Sequence, residues 1–415
     1  MRQQIKDMAK DALVVHGRTK KRKASGEAHA SPTFSLDELS QDLLERVLSW
    51  LPASSFLRLR SVCKRWSSVS TSPTFQIACS QISFRDPWFL MVDHELNQSV
   101  IFDTSEGNWK GLIRPTGFSQ AKQIAIASCD GLVCFRDTSG GGLEVCNPVT
   151  GARRELPLPE FTQPLHAISM SSFHKHSSFS SYRIVLVYGE FPNLSFRLFN
   201  SEKNQWEDEV ILTHKAGDSS DTDISGGQTV YFLSKSGEVV ATNMLRSPSK
   251  EFSSVSSIEN GEEIVYFLSH SGTVMACNLS KRNFYEHPRL LPIYSEYSID
   301  VVVCKGELMV VVLSEFLETA SVRVWRFCKR SKSWRQVAAM PPSISHELYG
   351  KKADLNCDGC GDMIFVCLNS ADFSSCVVCN VVENVWMELP KCVVNGEDKE
   401  FVSAFSFEPR VEACV

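Results

Sequence analysis

A ten-residue phrase that recurs along the chain limits its fold more than any other feature. "VIFDTSEGNW" (100–109), "RLFNSEKNQW" (197–206), "MACNLSKRNF" (275–284), "WRFCKRSKSW" (325–334) and "VVCNVVENVW" (377–386) align without gaps. In each, a β-branched or apolar run ends at an anchor (Asp103, Asn200, Asn278, Cys328, Asn380), and an aromatic follows six residues later. "EVCNPVTGAR" (144–153) keeps the anchor, Asn147, without the aromatic, and "VVATNMLRSPSKEF" (239–252) fits loosely at Asn243. An Asn or Asp at the anchor can accept hydrogen bonds from its own turn. The phrase therefore predicts a hairpin whose aromatic packs between neighbouring sheets. Successive anchors lie 44, 53, 43, 35, 50 and 52 residues apart. A period in the forties made of strands predicts an all-β propeller, one four-stranded blade per repeat. Seven anchors favour seven blades, with six as the alternative.

Gly-led strands precede several anchors: "DGLVCF" (130–135), "GGQTVYFLSKSG" (226–237), "NGEEIVYFLSHSG" (260–272), "KGELMVVVL" (305–313) and "GDMIFVCL" (361–368). The last apolar strand, "FVSAFSF" (401–407), is expected to pair with the first blade and so remove two exposed edges. The longest apolar runs, "IVLVY" and "LMVVVL", are five and six residues. A membrane-spanning helix needs about 20, so no membrane partner is expected. The N-terminus has no signal-peptide core. The 15 cysteines accordingly read as reduced thiols, and the location as nucleus and/or cytoplasm.

Ahead of the strands the texture is helical. In residues 36–79, Leu43, Leu44, Val47, Leu48 and Leu51 recur at helical spacing and make one wide apolar face. Ser40 is expected to cap this helix and Pro52 to stop it. A second helical stretch should gather Leu59, Val62, Cys63, Trp66 and Val69 on one side. It contains "RSVCKRW" (60–66), which raises the question of a nucleic-acid helix. Arg60 and Lys64 fall opposite Val62, while Arg58 and Arg65 flank the apolar arc, so no cationic stripe forms. The segment holds five Arg/Lys against four Asp/Glu, and the whole chain carries a net charge of −5. That balance argues against direct nucleic-acid binding. A module of about 44 residues encloses too little core to stand alone, so its natural use is docking on a partner.

"DLLERVLSWLPASSFLRLRSVCKRW" resembles the F-box. Leu39, Leu43, Leu44, Val47, Leu48, Leu51, Pro52, Leu57, Val62, Cys63 and Trp66 fall on that family's apolar positions, and Ser40 replaces its usual early proline. The resemblance implies that these residues bind the Skp-type adaptor and, through it, a cullin–RING ubiquitin ligase. The strand repeats resemble the degenerate kelch repeats of plant F-box/kelch proteins, although the double glycine survives clearly only at Gly226-Gly227. The expected organisation is a disordered segment over 1–35, a small all-α F-box over 36–79 and a kelch-like β-propeller over 83–409. The resemblance implies a non-catalytic substrate-recognition subunit of an SCF-type ligase, whose propeller holds an unknown target protein. The alternative is a non-degradative F-box adaptor that assembles a transcription or signalling complex. A propeller enzyme would need convergent His, Tyr or carboxylate groups at the central channel.

Other features are weighed against these assignments. Cys357, Cys360, Cys376 and Cys379 have zinc-ribbon spacing. Cys379 nevertheless fills the position before an anchor, as Cys146 and Cys277 do. Cys376 and Cys379 should point to opposite faces of one strand, and an intervening strand should carry Cys376 about 25 Å from Cys360. No metal and no cofactor are expected. His174 and His176 lack a third ligand nearby. Arg326, Lys329, Arg330, Lys332 and Arg335 surround Trp334 in a basic hairpin, read as a solvated turn. Lys20, Lys21, Arg22 and Lys23 form a candidate nuclear-import run. The connections "LPLPEFTQP" (156–164), "HPRLLPIYSEY" (287–297) and "MPPSISHELYG" (340–350) offer Phe161, Tyr294 and Tyr349 as target-binding candidates.

Overall fold

The computed structural model describes residues 39–95, 100–112, 123–138, 140–157, 163–173, 181–215, 230–233, 239–242, 245–246, 252–269, 272–288, 290, 296–316, 319–394 and 396–415. The helical region comes first, as α1 (Gln41–Ser49), α2 (Ala53–Leu59), α3 (Lys64–Val69) and α4 (Pro73–Ser80). Ser40 caps α1: the Leu43 amide donates to its hydroxyl at 3.5 Å and the Leu44 amide to its carbonyl at 3.0 Å. The expected second helix is two helices. The chain breaks after Leu59, and Cys63 is extended, with φ −153° and ψ 164°, before α3 starts. Phe56 and Phe75 stack with ring centroids 4.8 Å apart, and Leu48, Trp66, Val69 and Cys79 are also buried.

The strands build a propeller-like region. The first sheet runs Asn108–Gly111, Val100–Asp103, Trp88–Asp93, Phe401–Phe407. Its fourth member is the last strand of the chain: Trp88 pairs with Phe407, Leu90 with Phe405 and Met91 with Ala404, as the sequence predicts. The second sheet runs from Gln123–Cys129 to Arg153–Glu155 and the third from Leu165–Phe173 to Val210–His214. The fourth runs from Ser254–Glu259 to Asn283–Glu286, the fifth from Glu296–Cys304 to Ser333–Ala339 with Leu245–Arg246 parallel to its first strand, and the sixth from Asp354–Cys360 to Val385–Glu388. Third and fourth sheets are joined edge to edge, since Val210–His214 lies parallel to Asn283–Glu286. The leading strands touch in sequence, 401–407 to 123–129, then 165–173, 254–259, 296–304, 354–360 and back to 401–407.

Burial follows from this stacking. Each main apolar cluster lies between successive sheets, such as Tyr266, Leu268, Val310 and Val312 between the fourth and fifth. Strands covered on both faces read as continuous apolar runs, which is why "IVLVY" and "LMVVVL" carry little alternation. The hairpin Val230–Leu233 with Val239–Thr242 pairs with none of the six sheets among the described residues, and Asn243 lies outside them.

The repeated phrase is a turn device. Oδ1 of Asp103, Asn147, Asn200 and Asn380 accepts the backbone amide two residues on at 2.9–3.0 Å, and Asn278 that of Lys281 at 2.8 Å. Four residues after each anchor the backbone is left-handed, at Gly107, Gly151, Asn204, Arg282, Lys332 and Asn384, with φ between 48° and 77°. The aromatics then reach the preceding sheet's exit. Nε1 of Trp109, Trp206 and Trp334 donates to the carbonyls of Pro390, Pro157 and Pro288 at 2.9, 2.6 and 2.7 Å. The Gly-led strands start from two-residue turns with positive φ at both positions: Asp130-Gly131, Asn260-Gly261 and Lys305-Gly306. This backbone matches the twist of the strands it joins.

Candidate docking surfaces

The apolar arc of α1 is wider than one contact, and it divides in two. Leu44 and Leu48, four residues apart, are buried at 1% and 2% exposure. Leu43, Val47 and Trp50 follow i, i+4, i+7 spacing on the neighbouring stripe and are bare, at 54%, 49% and 59%. Val62 and Ile77 are also exposed, whereas Trp66 is buried, Leu39, Leu51, Leu57 and Cys63 are half-buried, and Pro52 is exposed. The residues expected on the docking face are thus divided between buried and exposed positions. Leu44, Leu48 and Trp66 belong to the chain's own interior, because a short helix must spend one stripe on holding itself to the fold. Leu43, Val47, Trp50, Val62 and Ile77 are the large apolar residues these helices leave exposed.

Helix α2 is fastened to the first anchor turn. Arg58 holds Glu106 with both terminal guanidinium nitrogens, at 3.0 and 2.6 Å, and the Ser54 hydroxyl donates to the same carboxylate at 3.0 Å. Lys110 adds a contact at 2.9 Å. Burial alone would raise the Glu106 pKa. Hydrogen bonds from Lys110, Arg58 and Ser54 outweigh it and hold the carboxyl at about 2, against an ordinary 4.5. Arg58 therefore serves this joint. Two further arginines complete it. Arg85 donates to the Ser49 and Leu51 carbonyls at 3.1 Å each, satisfying acceptors at the end of α1. Arg410 donates to the Ile82 and Ser83 carbonyls at 3.0 and 3.4 Å while paired with Glu408 and Glu412. The Asn147 amide group donates to the carbonyls of Arg410 and Ala413 at 2.8 and 2.9 Å, so the C-terminal tail ties the linker to the second sheet. Gly131 makes room for it: a Cβ there would stand 2.6 Å from Arg410 Cβ.

Tyr349, on the connection that follows Ser333–Ala339, is 47% exposed. It follows a short helix, Pro342–Ser345, and a single 3₁₀ turn, His346–Leu348, with Leu348 buried and the Gly350 amide held by Glu315 at 2.8 Å. Phe161, Tyr294, His174, His176 and Lys20–Lys23 lie outside the described residues. The leading strands enclose a channel of about 230 Å³ lined by Ser128, Ser254, Asp358 and Ser406 among others. Among the described lining residues Asp358 is the one ionisable group, and its carboxylate accepts the amides of Gly359 and Ser406. The basic hairpin is partly neutralised by neighbours, Arg326 by Glu307 at 2.9 Å and Lys329 by Glu259 at 2.5 Å.

The zinc-like cysteines are spread by the register. Cys357 faces Val366, Cys360 faces Met363 and Cys379 faces Ile364. Cys376 faces Cys367, four positions along from Met363, about 13 Å and not 25 Å because the hairpin doubles back. Cys376 and Cys379 do lie on opposite sides, in different apolar clusters. Among the described residues no three His, Cys, Asp or Glu side chains gather as a metal site.

Residues 36–77 match the F-box domain, and residues 101–345 match the KIB1-4 beta-propeller. The chain is an F-box protein with a KIB1-4 beta-propeller. It is 46% identical to F-box only protein 13 of Arabidopsis thaliana over 397 residues, covering 92% of this chain and 86% of that one. It is 25% identical to F-box only protein 6 of the same plant over 86% of this chain and 70% of that one. An Arabidopsis F-box/kelch-repeat protein shares 28% identity over 51% of this chain and 55% of its own length. No helix among the described residues is long and apolar enough to cross a membrane.

Within this F-box protein, sequence reasoning missed Trp50, Glu106, Arg85 and Arg410. Trp50 was within reach, because it sits three residues after Val47 and seven after Leu43 on one helical stripe. Glu106 had no signal, since the equivalent position in the next full phrase is Lys203.

Proposed function

We propose that this F-box protein is the substrate-recognition subunit of an SCF-type cullin–RING ubiquitin ligase. The bare stripe of Leu43, Val47 and Trp50 carries the reading: it is apolar surface on a module whose other stripe is already buried. The F-box docks there on a Skp-type adaptor, while the propeller holds a target protein. The chain makes no bond itself. Its contribution is effective concentration, with the target held near the ubiquitin-charged enzyme. The Glu106, Arg85 and Arg410 contacts support this role, because a stiff joint between F-box and propeller narrows where the target can lie.

In the same reading the six sheets are six blades, and the hairpin over 230–242 is an insertion after the third. Phe161, Tyr294 and Tyr349, each on a connection between repeats, contact the target. The run Lys20–Lys23 directs nuclear import. The test is co-purification of adaptor and cullin with the tagged full chain, followed by ubiquitin transfer to whatever protein is captured. Leu43→Asp with Val47→Asp should abolish adaptor recovery and ubiquitin transfer while leaving target capture intact. Adaptor recovery at wild-type yield would overturn the assignment.

A further inference from the structure

Cys367 and Cys376 stand directly opposite each other on adjacent antiparallel strands of the sixth sheet, with their sulfurs 3.8 Å apart. Among the described residues they are the one pair of thiols that a strand register sets face to face. Their position in the ladder matters. Ser370 and Phe373 close the two-residue turn, so pairing alternates outward from there, and the 367–376 pair falls on a non-hydrogen-bonded position. Cα atoms at such positions lie about 4.5 Å apart, inside the range of about 4.4–6.8 Å that a disulfide accepts. The sulfurs therefore need side-chain rotation to reach the bonding distance of about 2.05 Å, and the strands need not separate. The two thiols also differ in access: Cys367 is fully buried, while Cys376 is only partly buried.

We propose that Cys367 and Cys376 form a redox modification site that takes a peroxide as oxidant. The more accessible member, Cys376, reacts first. The Cys376 thiolate attacks one peroxide oxygen, an S–O bond forms, the O–O bond breaks, and the leaving hydroxide takes up a proton as water. Cys376 is then a sulfenic acid. The Cys367 thiolate next attacks the Cys376 sulfur, an S–S bond forms, the S–O bond breaks, and a second water leaves. In sum two thiols lose two electrons and two protons, and the peroxide is reduced to two waters. A thiol reductant reverses the step by exchange, as suits a disulfide formed in a reducing compartment.

The site is tested on the purified full chain with hydrogen peroxide as the probe. After alkylation of remaining thiols, endoproteinase Asp-N cuts before Asp362 and Asp372, which separates Cys367 from Cys376. Mass spectrometry should find peptide 362–371 linked to the peptide starting at Asp372 through Cys376, and the link should vanish with dithiothreitol. A second arm uses Cys367→Ser, in which dimedone should trap sulfenic acid on Cys376 at several times the wild-type level. Cys392 packs in the same cluster and is the natural competitor. A link from Cys376 to Cys392, no link at all, or equal dimedone labelling in both proteins would overturn the proposal.

Discussion

The helices and the sheets of this chain treat apolar surface in opposite ways. The first sheet gives up its open edge to the last strand of the chain, Phe401–Phe407, and the clusters between sheets are closed by neighbours on both sides. The helices bury one stripe of α1 and leave the adjacent one bare. A repeating architecture can satisfy itself, because every blade supplies what the next one needs. A single short module cannot, and one of its apolar stripes stays exposed.

Removing the closure should give the largest effect. Deleting residues 401–415 exposes the edge of Trp88–Asp93 and removes Arg410 from the linker. The expected result is an insoluble or aggregated chain, checked by gel filtration, since an open apolar edge invites pairing with other copies. A soluble, cooperatively unfolding product would mean the strands do not depend on closure. Next, Leu44→Asp with Leu48→Asp should destabilise the helices by more than about 3 kcal/mol, through burial of unpaired charge. Limited proteolysis within residues 41–80 would show it. Survival of these helices would blur the distinction between the two stripes.

Smaller effects probe the turns and the joint. Asn200→Ala removes the acceptor for the Glu202 and Lys203 amides and should cost about 1 kcal/mol in denaturant unfolding. Glu106 should impose a pH dependence. Its carboxyl titrates at about 2 in the folded chain and near 4.5 when released. Its contribution is therefore complete above about 4.5 and declines as pH falls toward 2. Glu106→Gln should lower stability at neutral pH and flatten that acid slope, read from unfolding midpoints between pH 5 and 3. An unchanged slope would remove Glu106 from the joint.

Sequence legibility differed between the regions for physical reasons. Anchor turns and the closing strand were readable because each rests on local chemistry or on an edge that must be covered. The accepted amides at Asp103, Asn147, Asn200, Asn278 and Asn380 are all within three residues of the acceptor. The number of repeats was harder to read, because the spacing around the loosely fitting phrase at Asn243 falls to 35 residues from its usual 43–53. In the helices, periodicity located the apolar arc of α1 but could not tell which half the rest of the chain would cover. Nor could it foresee the break before Cys63, where Val62 turns outward and Trp66 inward. The opposed pair Cys367 and Cys376 was hidden by a zinc-like spacing that only the strand register dissolves.

The bare stripe is the centre of the account, and its most direct test is the affinity of the purified full chain for a Skp-type adaptor, measured by calorimetry. Wild type should bind with a negative heat-capacity change, the mark of apolar burial. Trp50→Ala should weaken binding at least about tenfold, in line with a buried aromatic anchor, and Leu43→Asp with Val47→Asp should abolish it, both with unchanged thermal unfolding. Wild-type affinity in the double variant, with its fold intact, would contradict the account.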